Sequence, residues 1–268
     1  MKWARMFAIA FLLTVSTVCL LANFVAPAPY ARQFRDVPDA APSHQHLLGT
    51  DELGRDRFSR VLYGTRVSLL LAPAAALLSS LLAVLIGGIA GFAGSWLERL
   101  VMAGTDLFLS LPWLFLLITV RALLPLNVSP ITSVVITFAL LGLLGWAGAA
   151  RVICADAGAL SKSDFMLLAR ASGSSGWRLV WRHLVPNLKP ILYAQFWISV
   201  PVFILTEANL GILGLGVAEP LPSWGSLLRE LESFPSVSAQ PWRFVPLVLF
   251  IVVVSTFHLV LTKEELPV

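Results

Sequence analysis

The apolar residues of this chain fall into long uninterrupted blocks rather than into the short periodic patterns of a soluble domain. A helix needs about 20 apolar residues to cross the hydrocarbon core of a bilayer. On that basis we predict about six membrane-spanning helices, near residues 7–26, within 67–97, and near 103–124, 131–150, 191–209 and 244–262. The predicted fold class is therefore an all-α polytopic membrane protein.

Composition supports a membrane location. Hydrophobic residues make up 57% and charged residues 13% of the 268 residues, and the mean hydropathy is +0.83. Soluble domains are nearer a quarter charged. The net charge of +4 comes without a basic tract that carries interleaved aromatic residues, so membrane lipid is an expected partner and nucleic acid is not.

The two cysteines do not indicate a disulfide or a metal centre. Cys19 lies within an apolar block and Cys154 at the charged edge of another. Neither has a metal-ligating neighbour at a useful spacing. We expect both to be small packing residues, and no metal site is predicted.

The first apolar block has two interpretations. Lys2 and Arg5 precede an uncharged run, as they would in a cleaved secretory signal. The run is long enough to span a bilayer and further spans follow, which favours a retained first helix. Six spans place both termini on one side. The basic residues are shared almost evenly between the two sides, but Lys2, Arg5 and the basic loop at 151–189 favour cytoplasmic termini.

That loop, about 151–189, is long for a simple connection. Its pattern predicts one short helix that ends at Gly173 and a second that begins at Trp177 and stops at Pro186. The second helix has one predicted apolar face, formed by Leu179, Val180, His183 and Leu184. Two such helices either lie at the membrane surface or dock into the groove of a partner.

The same loop carries a family motif. Leu168-Ala169-Arg170-Ala171-Ser172-Gly173, followed after nine residues by His183-Leu184-Val185-Pro186, resembles the EAA loop of ABC-importer permeases. Leu167 replaces the Glu of that motif, Leu168 the first Ala, and Val185 the Leu before the proline. The resemblance implies that the loop is a coupling helix seated in a cleft of an ATPase subunit. The loss of the Glu puts the polar part of that contact in doubt.

Two further stretches resemble the C-type subunit of the peptide/nickel permeases. One runs from His46 to Leu69, and the other joins Leu210–Val217 to Pro222–Gly225. The resemblance covers roughly 45–268 and implies the type I ABC-importer permease fold. The expected organisation is an N-terminal helix and outer loop at 1–45, then a transmembrane domain at 46–268. The resemblance also implies that an outer-segment motif lies near the binding protein or the partner permease. The residues of this motif are Gly49, Thr50, Asp51, Gly54, Arg55 and Asp56. From its charges alone, that segment is a solvated surface.

The resemblance implies a subunit that works with other chains in a bacterial inner membrane. The expected partners are a second homologous permease, one or two ABC ATPase subunits and an extracytoplasmic substrate-binding protein. The chain has no Gly-x-x-x-x-Gly-Lys-Ser/Thr loop, so we expect ATP and Mg²⁺ on the partner ATPase, with no catalytic residue and no cofactor here. The expected solutes are di- or oligopeptides, with nickel chelates, glutathione and other small solutes as alternatives.

The residues alone do not exclude two other classes of protein. A self-standing channel would work without any ATPase. A membrane enzyme could use Glu207, His258 or the charged cluster at 51–57. Its catalytic groups would have to converge at one depth, whereas these candidates lie on scattered elements.

Ionisable residues within predicted spans are costly in lipid and are therefore candidates for a function. Glu207 is a candidate for a role in the solute pathway or in gating, and its alternative is an ion pair with a nearby arginine. Arg121 is expected to extend towards the outer headgroups. Beyond the fifth span, Gly211, Gly214 and Gly216 predict a sharp turn or a close helix contact. We predict a turn with an interfacial tryptophan at Trp224.

Overall fold

The computed structural model describes residues 2–125, 127–232 and 240–261. Within these ranges the chain is helical and has no strand, and its two β-bridges are isolated pairs, Gln33 with Arg55 and Thr50 with Asp56. The α-helices are α1 Lys2–Leu20, α2 Ala22–Val25, α3 Arg57–Ala83, α4 Ile89–Ala93, α5 Ser95–Ser110, α6 Trp113–Leu123, α7 Pro130–Leu144, α8 Trp146–Ser161, α9 Asp164–Ala171, α10 Gly176–Leu179, α11 Val185–Ile212, α12 Trp224–Arg229 and α13 Val245–Leu261. Short π-helical turns occupy Val84–Gly88 and Val180–Leu184, and 3₁₀ turns occupy Glu230–Glu232 and Pro241–Phe244.

The helices confirm an all-α polytopic membrane protein. Five described stretches are long and apolar enough to cross a bilayer, namely Trp3–Leu20, Arg57–Ala93, Pro130–Ser161, Gly176–Ile212 and Pro241–Leu261. A sixth is present if α5 and α6 together form one span. Residue 262, the predicted end of the last span, lies outside the described residues.

Several predicted span boundaries were wrong. The second span begins at Arg57, ten residues before the predicted start at Val67. The predicted third span is not one straight helix, because α5 and α6 meet at a bend of 81°. Pro112 lies in that break, where a proline cannot continue the hydrogen bonding of a preceding helix.

The loop predicted at 151–189 is mostly helix. α8 continues to Ser161, so the residues from Arg151 onward extend the fourth span. Pro186 does not stop the second short helix, because α10 passes through the π turn at Val180–Leu184 directly into α11. A π turn shifts the backbone hydrogen bonding by one residue. Pro186 therefore falls just after a place where the regular pattern is already interrupted, and the helix tolerates it.

One of two compact units comprises residues 73–120 and 139–200. Its helices pack with direct backbone contact. A Cβ atom at Gly87 would overlap the carbonyl oxygen of Ala150, and one at Gly91 would overlap that of Cys154. Small residues at such positions let the helices of a membrane protein pack tightly. A buried cluster of this unit joins α8 to the following segments, with Ala83, Ala149, Ala150, Ile153, Ala157, Met166, Leu179, Leu184 and Leu188 as its members.

The other unit comprises the described parts of 1–72, 121–138 and 201–268. It contains a small buried cluster of Cys19, Ala22 and Leu62. Cys19 and Cys154 are both free thiols, not joined in a disulfide. The turn predicted before Trp224 is present, but the tryptophan is buried rather than interfacial. Its indole Nε1 donates a hydrogen bond of 2.8 Å to Thr65 Oγ1, which anchors α12 to α3.

Candidate functional site

The outer-segment motif folds into a compact buried turn. Gly49 and Gly54 have φ values of +71° and +74°, a conformation in which glycine carries no steric penalty. The Asp51 carboxylate accepts backbone N–H bonds from Leu53 at 3.0 Å and from Arg55 at 2.8 Å. Asp51, like Thr50, Arg55 and Asp56, is buried. The expectation of a solvated charged surface is therefore wrong for this segment.

Asp56 fixes the start of α3. Its Oδ2 accepts from the Ser59 backbone N–H at 2.8 Å and from the Ser59 hydroxyl at 2.7 Å. Its Oδ1 lies 2.9 Å from His46 Nδ1. A carboxylate that accepts N–H groups in the first turn of a helix caps that end. The motif therefore ties the outer segment to the first turn of the long helix.

Charged side chains from four chain segments meet in one cluster, which we call the arginine–carboxylate network. Its members are Asp39, Asp51, Arg55, Arg57, Arg60, Glu219, Glu230 and Arg243. Arg60 and Arg243 are both 1% exposed in their side chains. Buried charges of this kind are compatible with folding only when they are paired and hydrogen-bonded.

Glu219 joins two of these arginines. Its Oε1 accepts from Arg60 Nη2 at 2.9 Å, and its Oε2 accepts from Arg55. Partial burial opposes ionisation of the Glu219 carboxyl. The hydrogen bond and charge of Arg60, together with those of Arg55, outweigh that effect and hold the pKa of Glu219 below its usual value. The Glu219 carboxyl is therefore ionised at neutral pH.

A polar cavity of about 620 Å³ lies beside the network. Residues of both charges line it, together with a glycine-rich stretch: Asp51, Glu52, Leu53, Arg55, Arg57, Arg121, Gly211, Gly214, Gly216, Val217, Ala218, Glu219, Ser226, Arg229, Glu230, Glu232 and Arg243. Arg121 is 1% exposed and its Nη2 donates to Ser133 Oγ at 3.2 Å. The expectation that Arg121 extends to the headgroups is therefore wrong.

The glycine-rich stretch confirms the prediction of a sharp turn and a close contact. A Cβ atom at Gly211 would overlap the Cα of Gly225, so α11 and the start of α12 approach through their backbones. Gly214 has a φ of +75° and makes the turn that follows α11. Ser223 caps α12, in a capping box with Ser226.

Glu207 is fully buried in α11. Its Oε2 accepts a hydrogen bond of 3.2 Å from Ser68, and its Oε1 faces Gly225. No arginine or lysine forms an ion pair with Glu207 in the part of the chain that the structure describes. The alternative of an ion pair was therefore wrong. A role in the pathway or in gating stays a prediction.

The loop motif has a well-defined turn. α9 ends in a Schellman motif, in which the Gly173 N–H donates to Arg170 at 3.0 Å and the Ser174 N–H donates to Ala169 at 3.1 Å. Gly173 has a φ of +77°, and no atom lies within 4 Å of where its Cβ would be. Its backbone conformation, rather than a close contact within the chain, accounts for the glycine.

The α9–α10 segment (residues 164–179) has a buried and an exposed apolar face. Met166 and Leu179 are buried in the core cluster. Leu168 and Trp177 are 68% and 72% exposed. Because its buried face packs in the core cluster, the segment is fixed in position. The exposed apolar side chains therefore project from a rigid part of the chain.

The other residues of the loop motif have different surroundings. Ala169 packs against the core cluster, and the Arg170 guanidinium lies 5.5 Å from the centre of the Phe92 ring. Ala171 is exposed. His183 is half-buried beside Phe165, and Pro186 is exposed near the start of α11. Leu167, which replaces the motif glutamate, is 50% exposed.

Sequence reasoning missed most of the network. Glu219, Glu230, Asp39 and Arg243 carried no motif signal, and Arg57 and Arg60 were included only in a charged or family-like stretch. The available signal was the presence of six arginines within residues 32–66, because buried arginines require carboxylates somewhere in the fold. That signal does not say which carboxylates are used.

Comparison with known proteins identifies the class of this chain. Residues 83–263 match the family described as the binding-protein-dependent transport system inner membrane component. The chain belongs to this family. It is a multi-pass permease component of a transport system that depends on a binding protein.

Individual relatives cover most of the chain. The oligopeptide transport system permease protein OppC of Bacillus subtilis is 34% identical over 83% of this chain and 70% of its own length. The dipeptide transport system permease protein DppC of the same organism is 30% identical over 86% and 70%. The glutathione transport system permease protein GsiD of Pectobacterium atrosepticum is 29% identical over 91% and 80%.

Proposed function

We propose that this chain is one of two permease subunits of an ATP-driven importer of di- or oligopeptides. Its similarity to permeases named for dipeptides and oligopeptides supports the solute class. The match to a glutathione permease supports a second candidate, a modified tripeptide. The polar cavity, which carries both charges, is compatible with either zwitterionic solute.

The observation that carries the proposal is the exposed apolar face of the α9–α10 segment. Leu168 and Trp177 are more than two-thirds exposed on a segment whose other face packs in the core cluster, and exposed apolar patches mark protein or membrane interaction sites. In the proposed mechanism this face docks on an ATPase subunit. Closure of the ATPase pair on ATP displaces the segment and switches the access of the solute path.

The remaining parts of the machine lie on other chains in this proposal. A homologous permease completes the path, one or two ATPase subunits bind ATP and Mg²⁺, and an extracytoplasmic binding protein delivers the solute. Both termini and the α9–α10 segment face the cytoplasm. The chain itself is non-catalytic and binds no cofactor.

Affinity purification of the tagged chain from its native membranes tests this assembly. The expected result is a second permease together with one or two ATPases that carry the phosphate-binding loop. Reconstitution of that complex with its binding protein should give ATP-dependent uptake of a labelled dipeptide or oligopeptide. A chain that purifies alone and conducts solute in liposomes without ATP would overturn the proposal in favour of a channel.

A further inference from the structure

Arg121 is held in place by neutral groups. It lies near the end of α6, is 1% exposed, and lines the polar cavity. Its Nη2 donates to Ser133 Oγ at 3.2 Å, and its Nη1 donates to the Pro125 carbonyl oxygen at 3.5 Å. Its buried Nε has no hydrogen-bond acceptor among the described residues.

The other arginines of the cavity all have carboxylate partners. Arg55 pairs with Asp51 and Glu219, Arg57 with Glu230, Arg243 with Asp39, and Arg229 with Glu232 at 4.0 Å. For Arg121, the described part of the chain supplies no carboxylate within 4.0 Å. Within that part, it is the one cavity arginine without a counter-charge.

A buried cation without a counter-charge attracts an anion strongly. Burial removes the water that would solvate the guanidinium, and the neutral partners replace only part of that stabilisation. The surrounding groups are fixed, because Ser133 Oγ also donates to the Gly216 carbonyl at 3.3 Å and accepts from the Ala218 N–H at 3.0 Å. A guanidinium held in this way matches the two oxygens of a carboxylate.

We infer that Arg121 and the cavity that it lines bind the terminal carboxylate of the peptide during its passage. This inference rests on the proposed function and names the group of the solute that this chain recognises. The volume of about 620 Å³ lies within the range of about 300–1,000 Å³ that small-molecule sites occupy.

Uptake by the reconstituted complex tests the inference. The probe is a matched pair of labelled peptides, one a free acid and the other its C-terminal amide, both first shown to load the binding protein. We expect the unmodified complex to prefer the acid. Arg121→Gln should lower uptake of the acid by about tenfold, as for the loss of a hydrogen bond to a charged group. It should leave the amide almost unchanged.

Two further variants make the test specific. Arg121→Lys keeps the charge and should retain part of the preference for the acid. Arg66→Gln is the matched control, because the Arg66 guanidinium also donates to a neutral group, Asn23 Oδ1 at 3.2 Å, but does not line the cavity. Its acid-to-amide ratio should equal that of the unmodified complex.

The contrary outcomes are distinct. If Arg121→Gln lowers uptake of both peptides equally, or lowers uptake of neither, the carboxylate site is overturned. The proposal of peptide import is unaffected by either result. If the purified Arg121→Gln complex lacks the second permease, the solute site is also overturned. Arg121 would then pair with a carboxylate of that partner permease. If the unmodified complex hydrolyses ATP but takes up neither peptide, the proposed function fails first, and the inference fails with it.

Discussion

The carboxylate of Glu219 accepts hydrogen bonds of 2.9 Å and 3.3 Å from Arg60, although 159 residues separate the two along the chain. Arg60 belongs to the first turns of α3, and Glu219 lies between α11 and α12. The pair therefore joins the start of α3 to the segment between α11 and α12. The stability of this end of the unit depends on such long-range charge pairs.

We expect Glu219→Gln to destabilise the protein. The change removes the negative charge opposite Arg55 and Arg60, and hydrogen bonds to charged groups are worth about 1.5–3 kcal/mol. Thermal unfolding in detergent should show a lower Tm. Asp106→Asn is the control, because the Asp106–Arg151 pair is exposed on both sides and should contribute less than about 1 kcal/mol. Equal shifts in the two variants would contradict a special role for Glu219.

The effect of Glu219→Gln should depend on pH. The folded state holds the pKa of Glu219 below its ordinary value of 4.5, so its ionised form stabilises the fold above that pH. The contribution is lost as the pH falls through the lowered pKa. The Tm difference between the original protein and Glu219→Gln should therefore be constant near neutrality and shrink in acid. A difference that grows in acid would show that the sign of the shift is wrong.

Gly211→Ala should prevent correct packing of α12. A methyl group at Gly211 would overlap the backbone of Gly225, and neither backbone can move without disturbing its helix. We expect a loss of about 3 kcal/mol or more, seen as a low yield of folded protein and a lower Tm. Gly148→Ala in α8 is the matched control, since no atom lies within 4 Å of its Cβ position. Alanine there should be neutral or stabilising by up to about 1 kcal/mol.

Leu168→Glu should separate ATP hydrolysis from uptake. Leu168 is 68% exposed, so the folded subunit should form normally while the apolar docking face gains a charge. In the reconstituted complex, uptake should fall by about tenfold or more, equivalent to about 1.4 kcal/mol of lost coupling, while ATP hydrolysis continues. Leu168→Met, which keeps an apolar side chain, should retain most of the uptake.

Gly173→Glu extends the same test to the turn. The positive φ at Gly173 costs a substituted residue about 1–2 kcal/mol, but the space around it is open, so the subunit should still fold. A bulky charge at this exposed turn should uncouple hydrolysis from uptake. Unchanged uptake in both Gly173→Glu and Leu168→Glu would contradict docking through this face.

The membrane spans could be predicted from sequence because they depend on local composition. Long apolar blocks specify helices in lipid whatever their neighbours are, and Gly211 indicated a sharp turn or a close helix contact. The ends of the helices were less predictable. Pro186 indicated a helix end, but the π turn that precedes it lets the helix continue, and no residue pattern marks that turn.

The candidate site depends on contacts that the sequence does not specify. Arg121 lies in an apolar block, which favoured a side chain extended to the headgroups, whereas the fold places Ser133 within hydrogen-bond distance. Glu219 gave no local signal for its pairing with Arg60. Distant pairs of this kind follow from how the chain closes on itself, and local periodicity carries no information about that closure.

The glycines at 87 and 91 bring the end of the second span into backbone contact with α8 at Ala150 and Cys154. Helices that touch through their backbones cannot slide along each other, because every small axial shift brings carbonyl oxygens against Cα atoms. We therefore expect residues 84–93 and α8 to move together as a single rigid body during a transport cycle. A cross-link placed between them would restrict no motion that the cycle needs.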